Sequence, residues 1–270
     1  MLKLRNVMTI VRKDLLEAKN DQGAIVSIIV VPFILSVMLP ILVVLGGTSH
    51  VLVHLIGGLN AFIEQLPKQA LPSGLSRNDA IGYAILMYFF VPFFLLIPVM
   101  IATILASSSF TGEKERKTIE GLLYTPITNQ ELMLGKILAS AIPSILVTWI
   151  AMLVYGIIVD IYSVNVMNQI IFPNFNWIVI AVCIIPLITF LAISLIVSIS
   201  HRVKTSKSAQ SISVLLILPI MGFLTSQSSG IFLFGINVSL ILVVVLIIID
   251  ILVYMFIVKT FNRDVFITRT

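Results

Sequence analysis

The chain has 270 residues, of which 59% are hydrophobic and 11% charged, and its mean hydropathy is +1.14. Soluble domains carry roughly 25% charged and about 45–50% apolar residues, so this composition excludes an ordinary water-soluble domain and describes a polytopic membrane protein. The formal net charge is +5; the placement of the basic residues makes that a matter of topology, with no case for nucleic-acid binding.

Residues 3–20 come first. Leu4, Val7, Met8, Val11, Leu15 and Ala18 recur at three- and four-residue steps, while Lys3, Arg12, Lys13, Glu17 and Lys19 fill the remaining positions. That pattern predicts a basic amphipathic helix lying at the cytoplasmic interface ahead of the first span. A helix needs about 20 apolar residues to cross a ~30 Å hydrocarbon core, and six such runs follow, near 24–46, 81–107, 137–159, 177–200, 208–226 and 237–258. The first begins only after this amphipathic segment of some twenty residues, so we read it as a persistent span and not as a cleavable signal. No ten-residue alternating segments of a membrane barrel are seen.

Between spans one and two, residues 47–80 carry another helical stripe, Leu52, Leu55, Ile56, Leu59, Phe62, Ile63 and Leu66, ended by Pro67 and Pro72. His50 and His54 stand four apart, a spacing two metal ligands can share, but only Glu64 is a nearby carboxylate, so no metal is predicted. Between spans two and three, FTGEKERKTIEGLLYTPITNQELMLGK (residues 110–136) puts five charges in a row in a chain that avoids charge. Pro126 divides the segment. Thr128 with Glu131 matches a capping box opening the helix of span three, and residues 112–124 are predicted as a short helix with acids at its start and Ile119, Leu122 and Leu123 as an apolar patch. Cys183 lies alone in span four, as a small packing residue. Pro92, Pro98, Pro143, Pro186 and Pro219 fall within spans, where freed carbonyls need new partners. Residues 225–237, too apolar for a plain loop and too broken for a span, leave a re-entrant element and an interfacial turn as alternatives. Asp250 is the one clear carboxylate inside a span, a costly placement; we mark it as a possible intramembrane polar site.

Fifteen of the 17 basic residues lie in the N-terminal segment, the second and fourth loops and the C-terminal tail, leaving Lys68 and Arg77 on the other side. Positive loops stay cytoplasmic, so both termini are expected inside the cell, in a multi-pass protein of the cell membrane.

The stretch E-K-E-R-K-T-I-E-G-L-L-Y-T-P resembles the pattern E-x-E-R-G-T-x-E-x-L-L-x-T-P of ABC-2 type transporter permeases, the membrane subunits of ATP-binding cassette exporters. Glu113, Glu115, Arg116, Thr118, Glu120, Leu122, Leu123, Thr125 and Pro126 match; Lys117 replaces the usual glycine. Residues 200–213, SHRVKTSKSAQSIS, are similar to that family's basic loop before span five. The resemblance implies an all-α membrane protein of six transmembrane helices, one permease domain over residues 1–270, with an N-terminal cytoplasmic amphipathic elbow helix (3–20) and a cytoplasmic coupling helix within 110–128. It further implies that the matched residues grip a separate ABC ATPase subunit, present in two copies, with the charges pairing to it and the leucines filling an apolar spot. ATP and Mg would bind there, with no cofactor on this chain, and a second permease copy would complete a homodimer or heterodimer in membrane lipid.

The chain contains no G-x-x-x-x-G-K-[ST] phosphate loop; Gly135-Lys136 is followed by Ile137 and has no glycine five residues before Gly135. A six-span secondary transporter driven by an ion gradient is the rival reading, supported by Asp250 alone. An intramembrane protease lacks its residues: Asp160 and Asp250 are predicted on opposite sides, and no histidine falls within a span.

Overall fold

The computed structural model describes residues 3–46, 77–116, 127–200, 203, 205–211, 214–229 and 233–260. All regular structure among them is helical, and six helices are long and apolar enough to cross a membrane: Gln22–Leu45, Ile81–Glu115, Gln130–Val166, Phe175–Ser200, Ser206–Ser228 and Ile236–Ile257. These are the six predicted spans. The predicted outer helix with His50 and His54 falls outside the described residues.

The N-terminal helix, Leu4–Asn20, ends at Asp21, whose extended backbone turns the chain. The Asp21 carboxylate then accepts from the N–H groups of Gly23 and Ala24 at 3.0 and 3.2 Å, so the residue that stops one helix caps the next. The second span is the centre of the bundle. Of its most apolar stretch 78% is buried, against 11% for span six, and it packs against spans three, four and five. Span six rests on span four and turns Leu240, Ile241, Val244, Ile248, Ile251 and Leu252 outward, an arrangement that suits contact with lipid chains.

Two spans run farther than their apolar runs. Span two continues without a break through a wide turn at Ser108–Gly112 to Glu115, so residues 112–115 are its end and not the start of a separate helix. The helix of span three runs from Asn129 to Met167, about 58 Å at 1.5 Å per residue. Both extensions carry charges that pair with one another, so the helix need not stop where the charges begin.

Wide, π-type turns interrupt spans one, two and four. In the turn at Ile85–Phe89, Phe90 N–H bonds back five residues to the Ile85 carbonyl at 3.2 Å. In that register the donor for Met87 would be residue 92, a proline without an N–H. The indole of Trp177 supplies it instead, donating to the Met87 carbonyl at 3.1 Å, and the Tyr155 hydroxyl donates to the neighbouring Leu86 carbonyl. Span four repeats the device. Its wide turn at Ile180–Ile184 precedes Pro186, and the indole of Trp149 donates to the Ala181 carbonyl, five residues before that proline, at 2.9 Å. Both tryptophans of the chain thus satisfy a carbonyl that a proline has left without a partner, as a span in hydrocarbon requires.

Tyr155 and Trp177 stack at 5.2 Å, with Phe94 and Phe172 edge-on to them, in an aromatic core. Gly156 makes room for it: a Cβ there would lie 2.3 Å from the Phe172 ring. Asn176, at the start of span four, donates to the Phe234 carbonyl at 3.0 Å and accepts from Ser239 at 2.6 Å, which joins spans four and six at the same end. Between spans five and six, residues 233–235 form a turn and the next helix starts at Ile236; the described residues there contain no re-entrant helix.

Candidate functional site: a charged junction at the base of spans two and three

The N-terminal helix buries Val7, Ile10, Val11 and Asp14 against the first turns of the span-three helix. Gly135 sets the distance: a Cβ at this position would stand 2.7 Å from Ile10 Cβ, so only glycine allows the approach. The predicted capping box forms in full. Thr128 Oγ1 accepts from Glu131 N–H at 3.3 Å and Glu131 Oε2 accepts from Thr128 N–H at 3.1 Å. The same carboxylate accepts from Lys3 N–H at 2.7 Å and from Asn6 Nδ2 at 3.0 Å. One buried anion therefore sits at the positive ends of two helices, a favourable place for it.

A turn deeper, Lys136 points into the junction almost fully buried. Its ammonium donates to Glu113 Oε2 at 2.6 Å, to the Ser109 carbonyl, and to Ser109 Oγ at 3.3 Å, with the Phe110 ring 5.4 Å away. Glu113, itself buried, also accepts from Lys13, and Ser109 Oγ donates to Asp14 Oδ2. At the rim Arg116 pairs with Glu17, and Lys13 lies 3.3 Å from Asp14 and 3.5 Å from Glu17. Burial works against the charge of Lys13, but Glu113, with Asp14 and Glu17, outweighs it and holds the ammonium above its ordinary range.

Asp14, Glu17 and Glu113 can bring ligand oxygens within 4.8 Å of one another, as ligands of a metal ion would. The Lys13 ammonium already stands among all three, and Lys136 and Arg116 bring the count to three cations for three anions. The cluster is internally neutral: Glu17 and Glu113 are paired with its cations, while Asp14 Oδ2 accepts from Ser109 and Asp14 Oδ1 is buried without a hydrogen bond among the described residues.

Of the nine residues matched to the family pattern, the described ones are Glu113, Glu115 and Arg116. Glu113 faces inward, onto Lys13 and Lys136. Glu115 Oε2 accepts from Ser206 N–H at 2.9 Å, bringing the first motif against the basic loop before span five, where Thr205 caps the helix Ser206–Gln210. Thr118, Glu120, Leu122, Leu123, Thr125 and Pro126 lie outside the described residues. Asp250 is 6% exposed in span six, away from this junction, and its carboxylate oxygens have no hydrogen-bond partner among the described residues.

Sequence reasoning missed Lys13, Asp14, Glu17, Ser109 and Lys136 as one cluster. The available signal was Asp14, an acid between Val7, Val11 and Ala18 on the buried face of an amphipathic helix; Lys136 carried a weaker one, directly before an apolar run. No curated protein and no solved structure matches the chain. The family model described as ABC-2 family transporter protein matches residues 8–231, well over half of the sequence, across five of the six spans and both motifs. The chain belongs to that family and is the membrane-spanning permease component of an ABC transporter.

Proposed function

We propose that this permease works in export, and that a separate ATPase drives it by gripping the segment between spans two and three. The observation that best supports this is the charged junction. Residues 113–116 are tied at once to the N-terminal helix through Lys13 and Glu17, to the base of span three through Lys136, and to the base of span five through Ser206. A displacement of the segment that follows would reach several helices together.

In this reading the permease is one domain over residues 1–270, with both termini and the junction in the cytoplasm. The N-terminal helix serves as the elbow, and Glu113, Glu115, Arg116, Thr118, Glu120, Leu122, Leu123, Thr125 and Pro126 belong to the coupling element, Glu113 and Arg116 as its tie to the N-terminal helix. Two ATPase copies hold ATP and Mg; this chain binds neither. Two permease copies, alike or different, enclose the path. Moving a two-state equilibrium from 1:99 to 99:1 takes about 5.5 kcal/mol of differential binding, which calls for a firm apolar contact, best supplied by Leu122 and Leu123, with the charges setting registry and encounter rate.

The test is Glu120→Ala with Leu122→Ala in the full permease, co-expressed with its ATPase. Co-purification and permease-stimulated hydrolysis should both fall. If both persist unchanged, the coupling role of this segment is wrong.

A further inference from the structure

The N-terminal helix has two charged faces of opposite character. Asp14 and Glu17 turn inward, where they meet Ser109, Lys13 and Arg116. Arg5, Arg12 and Lys19 are exposed and form no ion pair among the described residues. They stand seven residues apart, so on a helix they line up in one row about 21 Å long that drifts only ~20° per step. Beside this row run Leu4, Met8 and Leu15, which are 83%, 65% and 37% exposed; Leu16, 53% exposed, is the exposed apolar residue on the row's far side.

Depth follows from Gly135, which Ile10 touches. The middle of the apolar run of span three is near residue 148, thirteen residues or about 20 Å farther along that helix. With the helix along the membrane normal, Ile10 lies some 5 Å outside a ~30 Å hydrocarbon core, at headgroup level. We propose that Arg5, Arg12 and Lys19 form a binding row for the phosphates of anionic phospholipids, with Leu4, Met8 and Leu15 seated among the adjoining acyl chains. The row carries three cations and no acid, so the ligand it complements is anionic; the apolar border selects a lipid over a free anion. The inference needs only that the chain spans a membrane and does not depend on the transport reading.

The full chain in detergent is equilibrated with mixed micelles of equal phosphatidylcholine and phosphatidylglycerol, and the lipid retained on the captured protein is quantified by mass spectrometry. Wild type should retain phosphatidylglycerol in preference. Each basic residue near a surface contributes about fivefold to such a preference, so Arg5→Gln with Arg12→Gln and Lys19→Gln should reduce it by up to about a hundredfold. Arg5→Lys with Arg12→Lys should keep it. The proposal is overturned if the glutamine variant retains the preference, if the lysine variant loses it, or if inorganic phosphate in the buffer displaces the lipid, which would make the row a free-phosphate site.

Discussion

Lys136 and Glu113 meet at 2.6 Å with both side chains at most 5% exposed, one at the base of span three and the other at the end of span two. Breaking a buried pair by removing one partner costs about 3–5 kcal/mol, because the other charge is left in a poor solvent. The two single changes are not equivalent. Lys136→Met leaves Glu113 with Lys13, whereas Glu113→Gln strips both lysines of their shared carboxylate. Thermal unfolding of the full chain in detergent should therefore show the larger loss for Glu113→Gln, and the double variant should be less damaged than the sum of the two. The reverse ranking would contradict the assigned geometry.

Gly135→Ala should loosen the N-terminal helix. The new methyl would meet Ile10 Cβ at 2.7 Å, and overpacking of this kind costs about 1–3 kcal/mol. Hydrogen exchange over residues 4–20 is expected to quicken. Adding Ile10→Ala should recover little of the protection, since alanine keeps the clashing Cβ; full recovery would mean that the longer side chain, and not the backbone approach, sets the contact.

Trp177→Phe should destabilise the bundle by about 1–3 kcal/mol, the usual cost of an unsatisfied buried polar group. Pro92→Ala returns an N–H in the register that Met87 lacks, so it should offset part of that loss when the two are combined. Trp149→Phe with Pro186→Ala should behave alike. Strictly additive effects on the melting temperature would show that the indoles act through packing alone.

Asp250→Leu should leave the melting temperature unchanged or raise it, because the carboxylate is buried with no hydrogen bond among the described residues and such a group in a span costs roughly 2.5–3.5 kcal/mol. A fall of several degrees would reveal a stabilising partner. Asp250→Asn with ATPase-coupled transport as the readout separates stability from function; unchanged transport removes the intramembrane polar site from the mechanism.

Spans were legible because twenty apolar residues in a row have few other uses, and the Thr128–Glu131 cap because its chemistry acts over three residues. The ends of spans two and three were not. A linear reading assigns Glu113 and Lys136 to water, and nothing local states that these residues, 23 apart, neutralise each other. Asp14 and Ser109 are 95 positions apart, and Lys13 and Glu113 are 100 apart, so the junction exists only after the helices pack. The tryptophan-to-carbonyl bonds were half legible: Pro92 and Pro186 announce orphaned carbonyls, but which side chain answers them depends on the fold.

Tyr155 and Lys136 belong to one helix, nineteen residues or about 28 Å apart, close to one hydrocarbon thickness. Each donates to a backbone carbonyl in a wide turn of span two, Tyr155 to Leu86 at one end and Lys136 to Ser109 at the other. Spans two and three are thus riveted near both faces of the membrane. Neither can slide along the other without unmaking both bonds, so the two helices are held as a single plank.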